Sequence, residues 1–125
     1  MVKLIRKLKI LFIDDSEDDT TLMVHFLEDY FKSINYKQID TKEELKRNLL
    51  KEKWDLIIID NSLPQMNALD AINIILELKV KSPYLCVSGY SSNETQKQCL
   101  DLGAKAFIHK NDFELFVNTV VKILK

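Results

Sequence analysis

Five residues of this chain could do chemistry together: Asp14, Asp15, Asp60, Ser88 and Lys110. Carboxylates held close together repel, so at least one pKa should rise unless a cation lies between them. A hard divalent ion relieves that repulsion, and Mg2+ commonly takes one or two carboxylates together with waters and phosphate oxygens. A lysine ammonium and a serine hydroxyl beside such an ion can neutralise and hydrogen-bond a phosphoryl group. Asp60 is then the natural nucleophile, because a carboxylate can take a phosphoryl group as an aspartyl-phosphate. Each residue also has a plainer reading. Asp60 and Ser88 suit turns. Asp14 and Asp15, with Glu17, Asp18 and Asp19, suit the positive end of a helix dipole. Lys110 alone could be a solvated lysine. What decides between these readings is where the chain puts the five groups relative to one another.

The elements that would position them can be read from apolar patterning. Leu56 to Ile59 is a run of large aliphatics, expected to be a strand buried on both faces and ending at Asp60. Leu8 to Ile13 is a similar run, ending at Asp14 and Asp15. Tyr84 to Ser88 follows Pro83 and ends at the hydroxyl and Gly89; Ala104 to His109 is followed by Lys110. A shorter strand is expected from Tyr36 to Ile39. Helical spacing fills the intervals. Leu22, Met23, Phe26, Leu27, Tyr30 and Phe31 form one stripe, and Thr41 with Glu44 caps a helix carrying Leu45, Leu49 and Leu50. Asn67 to Val80 carries Leu69, Ile72, Asn73 and Leu76. Ser91 with Glu94 is expected to cap a helix over Asn93 to Leu102, stopped by Gly103. Asn111 with Glu114 opens the last helix, with the stripe Phe113, Phe116, Val117, Val120 and Leu124. Strand and helix alternate throughout, which predicts a doubly wound parallel sheet. The carboxyl ends of its strands share one edge, where ligands bind in open α/β sheets. The five groups would converge there.

Composition narrows the function further. At 125 residues, 46% hydrophobic and 30% charged, the chain reads as a single folded domain, residues 1–125, with no output domain expected. The formal net charge of -1 gives no global field for nucleic acid or anionic membrane. Cys86 and Cys99 lack metal-type spacing and suit a reduced, cytoplasmic protein. No run is long enough for a transmembrane helix. With glycine only at 89 and 103, phosphate-binding glycine loops are excluded.

Over nearly its whole length the chain resembles the receiver domains of two-component response regulators. The resemblance rests on Ile13-Asp14-Asp15, on Asp60 followed by Leu63-Pro64 and Met66, on Ser88-Gly89, and on Gly103-Ala104 leading to Phe107 and Lys110. It implies a flavodoxin-like sheet of five strands in the order 2-1-3-4-5 with five helices. It implies that Asp60 accepts a phosphoryl group from a phosphohistidine of a sensor histidine kinase or histidine phosphotransfer protein. Asp14, Asp15, Asp60 and the backbone carbonyl of Ser62 would hold Mg2+, with Ser88 and Lys110 on the phosphoryl oxygens. Such a domain catalyses its own phosphorylation and slow dephosphorylation but acts mainly as a signalling switch. Ser88 and Phe107 would relay the added charge to the face of helix four, strand five and helix five, a bias of roughly -2 charges on a two-state element. Ser62 and Tyr90 stand where family members tune phosphoryl lifetime. The implied partners are the phosphodonor and a downstream protein target, with no direct nucleic acid or membrane contact and a monomer or weak dimer.

Three departures accompany the resemblance. Ala68 stands where a glycine is usual, and Asn111 where a proline follows the lysine. Family members hold a cis peptide at that proline. A cis bond before any other residue is costly, so either Lys110-Asn111 carries that strain or the bond is trans and Lys110 is aimed differently. Ser62 and Tyr90 occupy variable positions. These departures motivate an alternative, a phosphorylation-independent pseudo-receiver, although every acid and the lysine remain. A haloacid-dehalogenase-type phosphatase is disfavoured because Ser62 stands where its second acid would be. A flavodoxin is disfavoured because the acidic loop after strand one would repel a flavin phosphate. His25 and His109 lack metal-ligand partners, and Trp54 is expected to pack a helix end.

Overall fold

The computed structural model describes residues 4–89 and 92–124, with side chains from residue 7 onward. Strands β1 (Leu4–Ile13), β2 (Phe31–Ile39), β3 (Leu56–Asp60), β4 (Tyr84–Ser88) and β5 (Phe107–His109) alternate with helices α1 (Glu17–Leu27), α2 (Lys42–Lys51), α3 (Ala68–Glu77), α4 (Asn93–Asp101) and α5 (Phe113–Leu124). The strands form one parallel sheet in the order β2-β1-β3-β4-β5. This is the flavodoxin-like arrangement expected.

The sheet is buried on both faces because its strands are apolar at odd and even positions alike. Leu11, Ile13, Ile57, Ile59 and Cys86 face the layer of α2, α3 and α4, where Leu45, Ala71, Ile72, Ile75 and Cys99 meet them. Ile10, Phe12, Leu56, Ile58, Leu85 and Val87 face α1 and α5, against Met23, Leu27, Phe116, Val117 and Val120. Register aligns Ile13 with Ile59 and Asp60 with Val87, so the strands end close together at one edge.

Several boundaries differ from expectation, each for a local reason. α1 stops at Leu27 and Phe31 begins β2, because pairing of Phe31 with Leu4 captures the chain into the sheet. The i, i+4 spacing of Leu27 and Phe31 happens to continue helical periodicity through a turn. On α1 the buried face is Thr20, Met23, Val24 and Leu27, while Leu22 is exposed. On α3 the buried face is Ala68, Ala71, Ile72, Ile74 and Ile75, which leaves Leu76 in solvent. Leu50 on α2 is exposed too. Thr41 caps α2 as expected, its Oγ1 accepting the Glu44 N–H at 3.2 Å. The cap of α4 is Ser92, whose Oγ accepts the Thr95 N–H at 3.1 Å; Ser91 lies outside the described residues. For α5 Asp112 rather than Asn111 does this work, accepting the Leu115 N–H at 3.1 Å. Gly103 ends α4 at φ 118°, a left-handed conformation, and a Cβ there would come within 2.7 Å of the Tyr84 hydroxyl.

Candidate functional site

The carboxyl edge of the sheet gathers four of the five expected side chains in buried or half-buried positions. Asp14 and Asp60 sit at the ends of β1 and β3, only 1% and 3% exposed, and Ser88 ends β4 at 2%. Asp15 is exposed. Asp14, Asp15 and Asp60 each offer a carboxylate oxygen within 4.8 Å of the others.

Local hydrogen bonds fix the two buried acids. The Ser16 N–H donates to Asp14 Oδ1 at 2.9 Å, and the Ser62 N–H donates to Asp60 Oδ1 at 2.8 Å. The backbone of Asp14 is held from β2: its N–H donates to the Ile39 carbonyl at 2.9 Å, and Gln38 Nε2 donates to its carbonyl at 3.0 Å. Asn61 ties down the following loop, its Oδ1 accepting the Ala68 N–H at 3.1 Å. Ala68 thus opens α3 without a positive φ, so the conformational freedom of the usual glycine is not needed here.

Lys110 closes the site from β5. Its backbone N–H donates to the Ser88 carbonyl at 3.0 Å, which fixes where its side chain starts. Its Nζ donates to Asp60 Oδ2 at 3.0 Å and to Asp19 Oδ2 at 2.7 Å, and lies 3.1 Å from Asp14 Oδ2. No peptide bond among the described residues is cis. The bond before Asn111 is therefore trans, and Lys110 reaches the acidic cluster all the same. Its ammonium is shared among Asp14, Asp19 and Asp60. Ser62 Oγ and Ser88 Oγ are 3.5 Å apart across the mouth.

The electrostatics fit a cation. Burial, opposed by the Ser16 N–H and Lys110 and reinforced by the charge of Asp60, pushes the Asp14 pKa up from 3.8 to about 6. Burial of Lys110 opposes its charge. Hydrogen bonds to Asp19 and Asp60, with the charges of Asp14 and Asp60, outweigh this and hold its pKa above the ordinary lysine value. Asp14 Oδ2 is buried, and the ammonium beside it is shared with Asp19 and Asp60. A buried carboxylate served by a shared ammonium, beside two more carboxylates, is the donor set a hard divalent ion takes.

Other expected residues fall as follows. Phe107 is half-buried, pairs with Cys86 in the sheet and packs on the core under α4. Tyr90 lies outside the described residues. His25 and His109 are exposed, and His109 Nδ1 accepts the Asn111 N–H at 3.1 Å. Trp54 packs at the end of α2, its Nε1 donating to the Asn48 carbonyl at 3.1 Å. Three residues that shape the site carried no such role in the sequence: Asp19, Gln38 and Asn61. Asp19 was visible only as one of several acids opening a helix.

A parallel sheet in this order, with an acidic cluster, a serine and a lysine at successive strand ends, defines a class of flavodoxin-like signalling domains. The response regulator receiver domain model matches residues 10–120, and the chain belongs to that family. Among curated proteins it is 30% identical over 106 residues to the autoinducer 2 sensor kinase/phosphatase LuxQ of Vibrio vulnificus, covering 82% of this chain and 12% of that protein. It is 29% identical over 118 residues to the alkaline phosphatase synthesis transcriptional regulatory protein PhoP of Bacillus subtilis, covering 93% of this chain and 48% of PhoP. The chain thus spans less than half of either relative. The fold matches a response regulator from Thermotoga maritima with TM-score 0.78 at 20% identity, covering 95% of this chain and 98% of that one. The Francisella response regulator 1452 receiver domain matches with TM-score 0.79 at 18% identity, covering 94% and 96%. No helix among the described residues is long and apolar enough to cross a membrane.

Proposed function

We propose that this domain is a phosphorylation-dependent cytoplasmic receiver with Asp60 as its acceptor. In the transfer, a carboxylate oxygen of Asp60 forms a bond to phosphorus as the N–P bond of a donor phosphohistidine breaks, and the released imidazole takes up a proton. Lys110, already bonded to Asp60 Oδ2, is placed to neutralise the phosphoryl oxygens, and the Ser88 hydroxyl to hydrogen-bond them. The Ser62 N–H fixes the other Asp60 oxygen, leaving one carboxylate oxygen to react. Asp14, Asp15, Asp60 and the Ser62 carbonyl would hold Mg2+, which when bound supplies charge neutralisation on the phosphoryl oxygens. The single observation that carries this reading is the pairing of a buried Asp60 with Lys110 at 3.0 Å, beside the buried Asp14 carboxylate.

Output would pass through Ser88 and Phe107 to α4, β5 and α5. Supporting this, α4 buries only Cys99, whereas α5 buries Phe116, Val117, Val120 and Leu124. A helix that buries a single side chain is inexpensive to move. The partners would be a sensor histidine kinase or histidine phosphotransfer protein upstream and a protein target downstream.

The test is direct. Incubated with phosphoramidate or acetyl phosphate and Mg2+, the wild type should gain one phosphoryl group by intact mass, and Asp60→Asn should gain none. An adduct that persists in Asp60→Asn, or is absent from wild type, overturns the assignment.

A further inference from the structure

The ammonium of Lys110 faces an acid that the reaction does not need. Asp19, in the first turn of α1, accepts a hydrogen bond from Nζ at 2.7 Å, the shortest of the three carboxylate contacts to that ammonium. Lys110 is mostly buried, with 17% of its side chain exposed, while Asp19 is 45% exposed. Asp19 is therefore not required to satisfy a buried charge, since Asp14 and Asp60 already flank the lysine from within. Its carboxylate lies on the more exposed side of the ammonium that, among the described residues, pairs with Asp60, and its charge opposes any anion approaching that ammonium. We infer that Asp19 is a positioning residue that competes with the phosphoryl group for Lys110 and so sets how tightly the site holds it.

This rests on Asp60 being the acceptor, and it adds a regulator of occupancy drawn from outside the reacting groups. Asp19→Asn keeps the size and the hydrogen-bond acceptor while removing the charge, so it isolates the electrostatic part. A half-exposed pair of this kind changes equilibria about two- to fivefold. The expected result is that Asp19→Asn binds beryllofluoride, a phosphoryl mimic, two- to fivefold more tightly than wild type in Mg2+, read by 19F NMR. Asp19→Glu should restore wild-type binding. The gain of Asp19→Asn should shrink in molar salt, because the opposing charge is solvent-accessible. A merely structural role would produce neither the salt dependence nor the rescue.

The outcomes separate the two claims. If wild type takes up a phosphoryl group from phosphoramidate but Asp19→Asn binds beryllofluoride no more tightly than wild type does, the role of Asp19 is overturned and the acceptor stands. If wild type takes up neither the phosphoryl group nor beryllofluoride, both fall together.

Discussion

The two edges of the sheet are built on opposite principles. At the amino edge Lys9 is paired with both Glu52 and Asp55. The Lys9 N–H donates to Asp55 Oδ2 at 2.8 Å, and its Nζ pairs with Glu52 and lies 5.1 Å from the Trp54 ring centroid. Ser82 Oγ donates to the Trp54 carbonyl at 2.6 Å, and Trp54 Nε1 to Asn48. The Lys9 ammonium beside it holds the Glu52 carboxyl below its ordinary pKa. At the carboxyl edge one lysine serves Asp14, Asp19 and Asp60 together. Unmatched buried charge destabilises a fold unless something binds it. The amino edge fastens the sheet, and the carboxyl edge gathers more carboxylates than its one lysine neutralises.

The largest test of that contrast is at Trp54. Its ring is 5% exposed, in the core beneath α2 and α3. Trp54→Ala should cost about 3–5 kcal/mol in urea unfolding, as large-to-small aromatic changes in cores do. Trp54→Phe keeps most of the buried surface but leaves the Asn48 carbonyl without its indole donor, and should cost about 1 kcal/mol. A loss under about 1 kcal/mol for Trp54→Ala would show that the amino edge is not the fastening point.

At the opposite edge the sign reverses. Asp14 has a folded pKa of about 6 against an ordinary 3.8, so the fold prefers it protonated. Its contribution is most favourable below the ordinary value and is lost as pH rises towards 6. Without Mg2+, Asp14→Asn should therefore be more stable than wild type at pH 7, by up to about 3 kcal/mol. The difference should narrow as pH falls towards 4. Adding Mg2+ at pH 7 should raise the wild-type melting temperature and leave that of Asp14→Asn nearly unchanged. A variant less stable than wild type at pH 7 without Mg2+ would show that the carboxylate is satisfied after all.

The edges were legible in the sequence to different depths. Strand ends at the carboxyl edge stand out because apolar runs stop on charged or hydroxyl residues, as at Asp14, Asp60 and Ser88. Chain order then implies their convergence. Thr41 was legible to the residue, but the caps of α4 and α5 only to within one. Ser91 and Ser92, like Asn111 and Asp112, are adjacent residues of equal capping chemistry, and backbone geometry chooses between them. The α3 face was misplaced because Ala68 and Ala71 are small enough to lie against the sheet, displacing the larger Leu76 to solvent. Asp19 was hidden for a different reason. Nothing local distinguishes it from Glu17 and Asp18; only the long reach from α1 to Lys110 does.

The smallest test concerns two helix ends that lead back to the amino edge. α3 and α4 finish with the same hydrogen bonds: Lys79 N–H to Leu76 and Val80 N–H to Ile75 in one, Gly103 N–H to Leu100 and Ala104 N–H to Cys99 in the other. Each needs a left-handed residue after the cap, with φ 55° at Lys79 and 118° at Gly103. Glycine adopts that conformation without strain, whereas a side chain costs about 1–2 kcal/mol there. Part of that is returned by the lower unfolded-state entropy of lysine. Lys79 is exposed, so Lys79→Gly loses no core packing and should stabilise the protein by about 1 kcal/mol in urea unfolding. Gly103→Ala should do the reverse and more, because its Cβ would press on the Tyr84 hydroxyl that donates to the Leu102 carbonyl at 2.9 Å. If Lys79→Gly proves neutral or destabilising, the amino edge holds no removable strain at α3, and its fastening is already complete.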